Sequence, residues 1–82
     1  MEIHVEIKMS NQELSKELEL RWFVEEFIMK QGIGEVVDAG TGPDVMDIFV
    51  DVNEASVAIN SLEKFVKKHS LQDRVTLQVL NG

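Results

Sequence analysis

Ile3, Val5 and Ile7 alternate with Glu2, His4, Glu6 and Lys8 at the start of the chain. A period of two sends successive side chains to opposite faces of an extended backbone, so this segment predicts a strand with one buried and one wet face. Ser10 then stands three residues before Glu13, the spacing of a capping box. Leu14, Leu18, Trp22, Phe23, Val24, Phe27 and Ile28 follow with helical spacing and predict a helix from about residue 11 to residue 31. Gly32 stops it, because glycine tolerates the left-handed backbone of a C-terminal cap. The apolar arc of this helix is wider than one buried stripe needs, which leaves part of it, Trp22 included, for the rim of the core or for a partner.

Residues 33 to 39 and 45 to 52 predict the second and third strands, with Gly40-Thr41-Gly42-Pro43-Asp44 between them as a hairpin turn. Pro43 has no amide donor and belongs in the connection. Asn53 or Glu54 opens a second helix, on which Ala55, Ala58, Ile59, Leu62, Phe65, Val66 and His69 recur every three or four residues. Val75, Leu77 and Val79 alternate with Arg74, Thr76 and Gln78 and form a fourth strand.

The order strand, helix, strand, strand, helix, strand with short links predicts an α+β, ferredoxin-like βαββαβ sandwich. Right-handed crossovers give an antiparallel four-stranded sheet of order 4-1-3-2 with two helices on one face, and residues 1–82 form a single domain. Acylphosphatases, heavy-metal-associated domains, RNA-recognition motifs and amino-acid-sensing ACT domains share this plan, so chemistry has to separate them. Paired metal-binding cysteines are missing, because the chain has no cysteine. Phe49 is flanked by Asp47 and Asp51 where an RNA-binding sheet needs aromatic residues beside basic ones. Lys8-Met9-Ser10-Asn11 stands where acylphosphatases carry a glycine-rich loop with an arginine. The segment Gly34-Glu35-Val36-Val37-Asp38-Ala39-Gly40-Thr41-Gly42, followed by Asp47-Ile48, resembles small bacterial ferredoxin-like proteins, some of the toxin-immunity type. That resemblance implies a binding role without catalytic residues.

Fifteen acidic against eight basic side chains give the 82 residues a formal net charge of −7. Such a field disfavours nucleic acid and anionic membrane as partners and favours a basic protein surface. The N-terminal alternation is unlike a secretory signal, no apolar run approaches the length of a membrane span, and the absence of cysteine points to no oxidising compartment. A cytoplasmic location is the expectation.

The first candidate site is the open face of the sheet. If Ile3, Val5, Ile7, Met46, Ile48, Val50 and Val52 face the helices, then Glu2, His4, Glu6, Asp47, Phe49 and Asp51 face away and form an acidic partner-binding surface. Trp22 is a secondary interface candidate, since tryptophan anchors interfaces well, and homodimerisation through its helix or a strand edge stays open. Gly40, Thr41 and Gly42 form a candidate ligand turn whose amides could face an anion, which would make the chain a small-ligand-sensing regulatory domain instead. No metal site and no cofactor are expected: Asp44, Asp47 and Asp51 on an alternating strand do not wrap an ion. His4 and His69 lie far apart without a nucleophile beside them, so no catalytic residue is expected and the chain is read as a binding protein rather than an enzyme.

Overall fold

A computed structural model describes residues 1–10 and 13–80. The elements are β1 (Glu2–Lys8), α1 (Leu14–Lys30), β2 (Glu35–Thr41), β3 (Val45–Asp51), α2 (Ala55–Lys68) and β4 (Val75–Leu80). The four strands form one antiparallel sheet in the order β2-β3-β1-β4, the ferredoxin-like arrangement expected from the pattern. Ile3, Val5 and Ile7 of β1 and Met46, Ile48 and Val50 of β3 are wholly buried. They meet Val24 and Ile28 of α1 and Ala58, Leu62, Phe65 and Val66 of α2, so both helices cover the same face.

Both helices end in the same way. Behind α1, the amide of Gly32 donates to the carbonyl of Met29 and that of Ile33 to Ile28, with Gly32 at φ 63. Behind α2, the amide of Ser70 donates to Lys67 and that of Leu71 to Val66, with Ser70 at φ 56. Each is a Schellman closure, in which one left-handed residue lets its own amide and the next one satisfy carbonyls of the last turn.

The start of α1 departs from the expected capping box. The helix begins at Leu14, with Glu13 as its N-cap and no side-chain cap, and the first residue assigned to it from the sequence, Asn11, lies outside the described residues. The hydroxyl of Ser10 turns instead to Glu17, donating to Oε1 at 2.9 Å, and the Ser10 amide donates to the same oxygen at 3.3 Å. Arg74, just before β4, donates from Nη2 to the other carboxylate oxygen and from Nε to the carbonyl of Lys8 at 3.0 Å. Glu17 is the buried charged residue of the core, at 1% exposure, and this network ties the β1–α1 link to the start of β4. Burial pushes its carboxyl up. The Ser10 hydroxyl, the Arg74 hydrogen bond, the Ser10 amide and the charge of Arg74 outweigh that effect and hold it below the ordinary carboxylate value.

The hairpin between β2 and β3 is tighter than the glycine run implies. β2 runs from Glu35 to Thr41 rather than over residues 33–39, so Gly40 and Thr41 are strand residues, paired with Asp47 and Met46. The glycine that sterics demand lies earlier. A Cβ on Gly34 would stand 2.4 Å from the carbonyl oxygen of Asp51 and 2.7 Å from a Val52 methyl, so only glycine fits this close approach just before β2.

Candidate functional site

With both helices on one side, the other side of the sheet is left uncovered. The pairing register arranges its side chains in rows, because directly opposed residues of an antiparallel pair point to the same face. At one end Glu35, Asp51, Glu2 and Leu80 lie in line across β2, β3, β1 and β4. The next outward-facing row is Asp38, Phe49, His4 and Gln78, and the third is Gly40, Asp47, Glu6 and Thr76. All six residues expected on this surface, Glu2, His4, Glu6, Asp47, Phe49 and Asp51, therefore share it.

Two further carboxylates, Glu35 and Asp38, join them. Plain alternation along β2 would send these two to opposite faces, since they are three positions apart. The register shifts between Val36 and Asp38, and this irregularity at Val37 turns both outward. No local pattern marks it; only the pairing with β3 does.

The centre of the surface is aromatic. The rings of His4 and Phe49 stack with centroids 4.7 Å apart and planes 13° from parallel. His4 Nε2 is 2.6 Å from Asp47 Oδ1, which pins the imidazole over the neighbouring strand. Around this stack the carboxylates stand in opposition: Glu35 faces Asp51, Asp51 faces Glu2, and Asp47 faces Glu6. Each such pair costs a few tenths to about 1 kcal/mol. Beside the His4–Asp47 contact, the N-terminal ammonium, 3.5 Å from Asp51 Oδ1, is the one cationic group paired with a carboxylate of this face among the described residues.

One donor atom each of His4, Glu6 and Asp47 can be drawn within 4.8 Å of the others. An imidazole and two carboxylates suit a borderline divalent cation. All three project from one side of the sheet, and Asp47 already pairs with His4. The set shares only Asp47 with the trio Asp44, Asp47 and Asp51 dismissed from the sequence, and Asp44 lies before β3.

The other two candidates lie elsewhere. Trp22 is 53% exposed on α1, on the helical side of the molecule, with Leu14 and Met29 also exposed on that helix. It cannot share a contact with the open sheet face. The Gly40–Gly42 segment does not form an anion cradle: Gly40 and Thr41 belong to the β2–β3 ladder, the amide of Gly42 donates to the carbonyl of Val45 at 2.8 Å, and the Thr41 hydroxyl accepts from Arg21 Nη1 at 2.6 Å. Neither Gly40 nor Gly42 adopts positive φ. Among the described residues, no helix is long and apolar enough to cross a membrane.

Comparison of the chain with protein-family models, with curated proteins and with solved structures found no match.

Proposed function

We propose that this protein is a non-enzymatic interaction module that binds a basic protein surface through the open face of its sheet. The observation that supports it most is the row Glu35, Asp51, Glu2 with the Asp47–Glu6 pair beside it. Evolution of a stable fold alone gives no reason to place like charges in direct cross-strand register. A partner rich in lysine or arginine turns that repulsion into attraction and is steered in by the same field.

The His4–Phe49 stack supplies the apolar centre that such a rim encloses. A guanidinium lying on an aromatic face and reaching carboxylates at its edge makes cation–π and bidentate contacts together, so arginine is the side chain this surface suits best. The narrower form of the proposal is an inhibitor that covers a basic protein, in line with the immunity-type proteins that residues 34–42 resemble. A homodimer built on this face is disfavoured, since a two-fold axis would set carboxylates against carboxylates.

The test pairs capture with kinetics. A partner retained by the wild-type protein is purified and its association rate measured against wild type and against the Asp47→Lys/Asp51→Lys double variant at low and moderate salt, with circular dichroism confirming the fold. The expected result is association slowed by roughly tenfold or more, with the wild-type rate falling steeply as salt rises. Equal rates for the two proteins would reduce the acidic face to a solubilising surface.

A further inference from the structure

The helical side of the molecule carries the opposite chemistry. Phe27 and Phe65 stack with centroids 4.0 Å apart, Phe23 lies 5.2 Å from Phe65, and His69 meets Phe23 edge-on at 4.9 Å and Phe65 at 4.7 Å. Three of the four phenylalanines of the chain thus join His69 in one continuous aromatic wall. Because Phe27 meets Phe65 while Phe23 reaches on to His69, α1 and α2 run antiparallel, and the wall lines the groove between them. The groove has a volume of about 430 Å³, within the range of small-ligand sites, and Phe23 keeps 44% of its surface exposed.

The rim of this groove is basic in an acidic protein. Lys30, Lys64 and Lys68 line it against the single carboxylate of Glu26, whose Oε1 is 2.6 Å from Lys30 Nζ. Among the described residues, Lys64 and Lys68 take part in no ion pair. The macrodipole accounts for Lys30 and Lys68, each in the last turn of its helix. It does not account for Lys64, one turn earlier. Lys64 and Lys68 are four residues apart on the same helical face, a like-charge spacing that weakens a helix.

We propose that the α1–α2 groove is a binding site for a small aromatic anion, a carboxylate or sulfonate on a ring system. The ring lies against Phe23, Phe27 and Phe65, and the acid group sits between the ammonium groups of Lys64 and Lys68, relieving their repulsion. Aromatic surface and paired ammonium groups together select this class: a neutral aromatic leaves the lysines unrelieved, and inorganic phosphate gains nothing from the rings. The site is independent of the sheet-face proposal, since it lies on the other side of the molecule.

The test uses 1-anilinonaphthalene-8-sulfonate as the probe and N-phenyl-1-naphthylamine, the same ring system without the sulfonate, as its control. The sulfonate is expected to bind saturably at one site, to shift the NMR signals of Phe23, Phe27, Phe65 and His69, and to raise the thermal midpoint as a ligand of the native state does. Lys64→Glu/Lys68→Glu, two surface changes that leave the rings in place, should weaken it by roughly tenfold or more, with the neutral control weakened little. A shift map centred elsewhere, a midpoint lowered by the probe, or an affinity unchanged by the double reversal would overturn the proposal.

Discussion

Glu17 is the residue on which the packing of the β1–α1 link turns. A wholly buried carboxylate is tolerated only when its oxygens are occupied, and here Ser10 serves one oxygen and Arg74 the other. Folding favours its ionised form, so the group is more acidic in the folded protein than in the unfolded chain, where the ordinary value is 4.5. Its contribution is therefore complete above that value and lost as the pH falls through the lower folded value. Glu17→Gln keeps the shape and removes the charge, and should cost roughly 1 to 3 kcal/mol at neutral pH. Denaturation of wild type and variant across the acid range checks this: the gap between them should narrow once wild-type Glu17 is protonated. The absence of any gap at neutral pH would mean that the carboxylate acts through shape alone, which glutamine keeps, and a gap unchanged across the acid range would mean that folding does not favour the ionised form.

At the scale of elements, the two Schellman closures do the same work with different residues. Gly32 takes the left-handed conformation at no steric cost, whereas Ser70 takes it with a Cβ. Ser70→Gly should therefore stabilise the protein, by about 0.5 to 1 kcal/mol after the greater freedom of glycine in the unfolded chain is counted, and raise the melting temperature by a few degrees. A calorimetric scan of the variant decides it. A fall in the melting temperature would show that the Ser70 side chain makes a contribution larger than its backbone strain. The same comparison explains why one closure was legible beforehand and the other was not. Gly32 announces a cap by its identity, while Ser70 is held in place by the packing of Leu71 into the core.

For the molecule as a whole, two surface patches differ in charge, with six of the fifteen carboxylates on the open sheet face. Carboxylates gather on the open sheet face in directly opposed pairs, while Lys30, Lys64 and Lys68 gather at the helical groove. A surface that repels itself in the free protein should become more stable when one charge is removed. Asp51 faces a carboxylate on either side, so Asp51→Asn is expected to stabilise the free domain by a few tenths of a kcal/mol at low salt, with the gain fading as salt is added. Urea titrations at two ionic strengths provide the check. Destabilisation by this change would mean that the contact of Asp51 with the N-terminal ammonium outweighs both repulsions.

Much of this architecture is local information. The alternation in β1, β3 and β4 and the three- and four-residue spacing in α2 determine which faces are buried, because side-chain direction follows from backbone periodicity within a single element. Glu2, His4, Glu6, Asp47, Phe49 and Asp51 are legible on the open face for that reason, as is the exposure of Trp22, since the apolar arc of α1 exceeds what one sheet face can cover. What the sequence did not disclose depends on contacts between elements. The shift at Val37 that turns Glu35 and Asp38 outward exists only in the pairing of β2 with β3. Arg74 reaches Glu17 across 57 residues of chain. Ser10 was expected to cap α1 because its spacing to Glu13 permits it, yet the buried carboxylate of Glu17 claims that hydroxyl, since an unpaired charge in the core is costlier than an uncapped amide at a wet helix end. The aromatic wall likewise requires two helices to meet antiparallel, a relation set by how both pack on the sheet and absent from the periodicity of either one.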